Sequence, residues 1–102
     1  DRDQWPLFRT KSAKELMKKI DSYIDYVSAR KARPVLCFYF HPWEFHEMPQ
    51  GWIDFGEAKV MPQPFIVKNC GKKACEEFDK LCTMLAKKGG RFLTAEELAN
   101  EY

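Results

Sequence analysis

The chain of 102 residues contains no apolar run near the ~18–20 residues that cross a bilayer, which excludes a membrane-spanning helix. It contains no basic block either. Its formal charge of +2 comes from lysines and arginines dispersed among acids, so nothing is available to follow a phosphate backbone, and no nucleic acid partner is expected. The start, Asp1–Arg2–Asp3, lacks the apolar core of a secretion signal. No compartment is assigned, and the cytoplasm and the cell envelope both stay open. The four cysteines, Cys37, Cys70, Cys75 and Cys82, invite a zinc or disulfide reading but include no CxxC pair. Cys37 sits in an apolar run, and Cys75 and Cys82 sit on an apolar helical face, where free cysteine packs as a small hydrophobe. Packing is favoured for them over one disulfide or a metal site. Internal repeats and low-complexity segments are also missing.

Aromatic residues are abundant, with eight Phe, four Tyr and three Trp, and with the apolar and charged fractions they point to a globular chain with one core. The most telling segment is Val35–Leu36–Cys37–Phe38–Tyr39–Phe40, which runs into His41–Pro42–Trp43–Glu44. An unbroken apolar run reads as a strand buried on both faces, with a polar residue at its carboxyl tip, where α/β folds build their sites. Such a strand needs covering helices and neighbouring strands. The other strand candidate is the short Arg91–Phe92–Leu93, so the chain reads as part of a larger domain.

Residues 1–11 read as an extended lead-in segment around Trp5–Pro6. Ser12 with Glu15 is a capping box, and Leu16, Ile20, Tyr23 and Val27 make an amphipathic helix over about residues 13–30, broken by Pro34. Residues 41–69 form a long Pro-, Gly- and aromatic-rich connection, a kind usually tied to function. Within it, Phe65–Val67 is an edge strand or a packing piece. Met48, Met61, Trp52 and Phe55 are a flap over the site or a satellite cluster. A second helix starts near Gly71 with Ala74, Cys75, Phe78, Leu81, Cys82 and Leu85 inward, and ends at Gly89–Gly90. Thr94 with Glu97 caps a final helix running to Tyr102. The order of elements has the rhythm of a parallel βα array.

The strand ending in His41–Pro42–Trp43–Glu44 and the finish Lys88–Gly89–Gly90–Arg91–Phe92–Leu93–Thr94 resemble the C-terminal part of the polysaccharide deacetylase family (NodB-homology), over about residues 12–102. The resemblance implies an α/β fold, the last βα units of a distorted (β/α) barrel that is incomplete as an isolated chain, with 1–102 as one segment of the catalytic domain. It implies a hydrolase that removes N- or O-acetyl groups from a polysaccharide or oligosaccharide with a divalent metal, zinc being the expected ion. The metal ligands and the aspartate base of that family lie in motifs absent from this chain, and Asp1 and Asp3 do not reproduce them. The chain alone is therefore expected to be inactive and to need the remainder of the catalytic domain. What carries over is His41, in the place of the general acid, with Phe38 where the family has the leucine of its acetyl pocket. Trp43 at the mouth either stacks on a sugar or covers the barrel end.

The chemistry gives His41 its own rationale. Amide or ester hydrolysis passes through an oxyanion and expels a poor leaving group that needs a proton, and imidazole supplies one near neutral pH. Against this stands a metal site built from His41, Glu44, His46 and Glu47, weakened by Pro42 and the lack of i, i+4 helical spacing. Two other classes compete with the enzyme. One is a non-catalytic carbohydrate-binding or interaction module in which the aromatic loop stacks on sugars. The other is a small domain that self-associates through exposed strand edges.

Overall fold

The computed structural model describes residues 6–102. Asp1, Asp3 and Trp5 lie outside the described residues. The helical turn α1, Leu7–Thr10, is followed by the long helix α2, Ala13–Ala29. A short 3-10 turn, Pro42–Phe45, precedes an antiparallel ribbon of β1, Ile53–Asp54, and β2, Lys59–Val60, in which Ile53 faces Val60. Then come the helical turn α3, Pro64–Val67, the long helix α4, Lys72–Lys87, and α5, Ala95–Asn100.

Both long helices follow from their punctuation. Ser12 caps α2 by accepting the Glu15 N–H at 3.1 Å, although the Glu15 carboxylate turns to Lys18 at 2.8 Å instead of closing the box. At the end of α4, Gly89 takes a φ of +81°, and the N–H groups of Gly89 and Gly90 reach back to the carbonyls of Ala86 and Leu85 at 3.0 Å each. This paired closure is the Schellman arrangement, which favours glycine at the left-handed position. The capping box of Thr94 and Glu97 forms as its spacing predicts. The helices α2 and α4 pack through Ala13, Leu16, Met17, Ile20, Ala74, Leu81 and Leu85, with Phe8 of α1 fully buried between them. Among the described residues no helix is long and apolar enough to cross a membrane.

Four local expectations differ from what is seen. Leu7–Thr10 is helical rather than extended, because Pro6 starts a turn in which its carbonyl accepts the Thr10 N–H at 2.9 Å. Residues 35–40 form no strand and pair with none among the described residues, and Cys37, Phe38 and Tyr39 are exposed while Leu36 and Phe40 pack on the core. Without ladder partners an apolar run has no second face to bury. The same holds for Arg91–Leu93, which forms no strand and leaves Phe92 exposed. Phe65–Val67 is a helical turn begun by Pro64 at its first position rather than an edge strand. Among the described residues the sheet is thus limited to the short ribbon, with Trp52, Phe55 and Met61 exposed around it. The radius of gyration, 16.7 Å, exceeds the roughly 13 Å of a compact domain of this length, as expected when the ribbon and α5 stand outside the core.

Candidate functional site

Phe40 fixes where the site begins. Its ring meets Phe8 edge-on at 5.1 Å and Phe78 edge-on at 5.1 Å, and Phe45 joins the group at 5.4 Å from Phe78. Such edge-to-face pairs each add roughly 0.5–1.5 kcal/mol beyond area burial. The chain is thereby pinned on both sides of the 3-10 turn, at Phe40 and at Phe45. His41 is the residue before that turn, in extended conformation, and Pro42 supplies a preset φ at its first position. The turn closes with the Glu44 N–H on the His41 carbonyl at 3.0 Å and the His46 N–H on the Trp43 carbonyl at 3.1 Å.

The pinned turn drives Glu44 into the interior. Its Oε1 accepts from Arg9 Nε at 2.7 Å, and both side chains are 0% exposed. A buried carboxylate and a buried guanidinium are tolerable only when paired and hydrogen-bonded. Arg9 Nη1 also donates to the carbonyls of Phe65 at 3.1 Å and Lys68 at 2.6 Å, which caps the end of α3. Asn69 donates to the Arg9 carbonyl at 2.8 Å, and the Gly71 N–H donates to the Glu44 carbonyl at 2.9 Å. One guanidinium therefore joins α1, the 3-10 turn and the connection into α4.

Glu44 Oε2 faces His41. It accepts the His41 backbone N–H at 2.7 Å and lies 3.3 Å from His41 Nδ1. The imidazole, half-buried, stacks on Trp43 with ring centres 4.9 Å apart and meets Tyr39 edge-on at 4.7 Å. The Arg9 guanidinium lies 5.8 Å from the centre of the Trp43 ring. An imidazole held by a carboxylate at one nitrogen and by aromatic rings around it has the anchoring that general acid or base work requires. A separate open cleft of about 680 Å³ lies between Glu47–Gln50 and the α3–α4 junction, lined there by Val67, Asn69, Cys70 and Lys73. Burial pushes the Cys70 thiol up, so this sulfur is a poor nucleophile.

Of the residues singled out from the sequence, His41 and Trp43 come together ring on ring. Phe38 does not join them; it is exposed and stacks on Phe40 at 6.0 Å. Trp43 is engaged by the His41 ring, which makes it a buttress of the imidazole as well as an aromatic at the mouth. Among the described residues no group of three or more His, Cys, Asp or Glu side chains is placed to hold a metal ion. Of the loop set His41, Glu44, His46 and Glu47, the Glu44 carboxylate is committed to Arg9 and His41. Arg9 was invisible to sequence reasoning, being 35 residues from its carboxylate. The available signal was an arginine directly after Pro6–Leu7–Phe8, beside a phenylalanine that is fully buried. Compared with protein-family models, with curated proteins and with solved structures, the chain matches none of them.

Proposed function

We propose that this chain is the C-terminal part of a metal-dependent carbohydrate deacetylase domain and that His41 is its general acid. The observation that carries the reading is the restrained imidazole: Glu44 at Nδ1, Trp43 and Tyr39 around the ring. A side chain that merely ends an extended segment needs no such frame. His41 would protonate the nitrogen or oxygen expelled when an acetyl group is removed, a contribution of typically ~10²–10⁴-fold. The described residues supply no ligand set for a divalent ion, so in this reading the ion is held by parts of the domain outside them. Acetylated polysaccharide or oligosaccharide is the proposed substrate, with the rest of the catalytic domain as the partner that pairs with residues 35–40. The barrel belongs to the same proposal.

A second reading has its own support. Trp52 and Phe55 are each about two-thirds exposed on the ribbon, as expected of sugar-stacking residues in a non-catalytic binding module. One assay separates the two. Acetate release from acetylated oligosaccharides with added zinc is measured for the domain that contains this segment, and for its His41→Ala variant. Loss of at least ~10²-fold in turnover, with zinc binding retained, is expected for a general acid. Equal turnover in the two forms, or turnover in neither, overturns the assignment and leaves the binding module.

A further inference from the structure

The resemblance that points to His41 assigns Glu44 no role, yet Glu44 touches that histidine twice through one oxygen, at the backbone N–H and at Nδ1. An ionised carboxylate only accepts, and the Glu44 N–H, which also faces the His41 side chain across the turn, is taken by the His41 carbonyl at 3.0 Å, so the hydrogen in the ring contact belongs to the imidazole. We propose that Arg9 and Glu44 act as one positioning unit that holds neutral His41 as the Nδ1–H tautomer, making Nε2 the nitrogen that takes up and delivers a proton.

The argument rests on how little freedom each member keeps. Glu44 cannot turn Oε2 away from the ring without giving up the His41 N–H at 2.7 Å, and cannot turn Oε1 without giving up Arg9 Nε at 2.7 Å. Arg9 is held in turn by the carbonyls of Phe65 and Lys68, at 3.1 and 2.6 Å. Trp43 and Tyr39 restrict the imidazole. A solvated imidazole favours the proton on Nε2, so a fixed carboxylate at Nδ1 is what inverts the preference. Stability alone does not require the arrangement, because a buried ion pair can often be exchanged for apolar residues of like volume without loss. A buried pair whose free carboxylate oxygen ends on a titratable ring has a second use, which is to orient that ring.

The catalytic use of Nε2 rests on the reading of His41 as general acid, whereas the tautomer does not. The chain has two histidines, and exposed His46 serves as the internal control. Long-range proton–nitrogen NMR on the nitrogen-15-labelled chain, at a pH where both imidazoles are neutral, reads the tautomer directly. His41 is expected to show a protonated Nδ1 and an unprotonated Nε2, while His46 shows the Nε2–H-dominated average of a solvated ring. In the Arg9→Met, Glu44→Leu double variant, which removes both buried charges together, His41 should revert to the pattern of His46. A wild-type His41 protonated on Nε2 overturns the proposal even if the variant does not fold, and so does a Nδ1–H pattern that survives in a folded double variant. If the tautomer reverts while deacetylation by the full domain is unchanged, the positioning unit stands and the general-acid reading falls.

Discussion

The carboxylate of Glu77, on α4, accepts the backbone N–H of Ala13, the first residue of α2, at 2.8 Å. An acid on one helix thus caps the start of another, satisfying an orphan N–H and facing the positive end of the α2 dipole. Lys73 at 2.8 Å and Lys80 at 3.4 Å complete its surroundings. The Lys73 hydrogen bond is the main reason that Glu77 is held at about 2 instead of the ordinary 4.5, against the opposing effect of burial.

That depression makes the fold acid-sensitive in a defined window. The unfolded chain binds the Glu77 proton more tightly than the folded one, so the stabilisation is fully present above about pH 4.5 and is lost as pH falls toward 2. The drop corresponds to roughly 3.5 kcal/mol at about 1.4 kcal/mol per pH unit. Urea unfolding monitored from pH 6 to pH 2 should show it, and Glu77→Ala should flatten that profile while losing about 2–3 kcal/mol at neutral pH. A Glu77→Ala variant with the wild-type slope would remove Glu77 as the source.

Gly71 is a second point of close fit. Its φ is +85°, and a Cβ placed there would lie 2.9 Å from the backbone nitrogen of Glu47, an atom that cannot move without the turn behind it. Gly71→Ala should therefore cost at least about 2 kcal/mol in thermal or chemical unfolding. The same residue donates to the Glu44 carbonyl, so the His41 ring signals should shift as well. Gly56, also at positive φ but with nothing within 4 Å, should tolerate alanine with a smaller penalty and no effect on His41.

The helices were legible from the sequence because their signals are local: Ser12, Thr94 with Glu97, and Gly89 act within a turn of the residues they cap. His41 and Trp43 were legible as neighbours for the same reason. Long-range pairing was not. The apolar run 35–40 carries strand propensity, but a strand exists only where another backbone pairs with it, and none does so among the described residues. The inward face of α4 shows a related limit. Periodicity placed Cys75 inside, whereas it is exposed, and Glu77 is buried because Ala13 and two lysines from the same helix satisfy it. Arg9 and Glu44, each alone, read as surface charges; their contact, with the Phe65 and Lys68 carbonyls on Arg9, is what burial requires.

The cysteines give a chemical test of the packing. All four are free thiols, with Cys37 and Cys75 exposed and Cys70 and Cys82 half-buried. Burial raises the pKa of Cys70 and Cys82, with the Asp79 carboxylate adding to the effect at Cys82. Alkylation near neutral pH should modify Cys37 and Cys75 first and the other pair more slowly, as resolved by peptide mass analysis. Added reductant should leave the unfolding midpoint unchanged, and a reductant-dependent midpoint would reveal a disulfide absent from this fold.

The Arg9–Glu44 pair predicts a non-additive thermodynamic cycle. Arg9→Met alone takes the donor from Glu44 Oε1 and leaves a carboxylate, 0% exposed, beside His41; Glu44→Leu alone takes the carboxylate from Arg9 Nε, a group that is equally buried. Each single change should cost about 3–5 kcal/mol, because breaking a buried pair costs far more than the pair was worth. Removing both charges together should cost less than the sum of the two single changes, since neither member of the pair is left facing an apolar replacement, and the remaining loss is that of the bonds to the Phe65 and Lys68 carbonyls. The cycle therefore separates what the pair does for stability from what it does for His41, which the double variant loses completely. Additive single-site losses in urea unfolding would mean that the two charges are solvated independently, and the frame around His41 would then have no buried anchor.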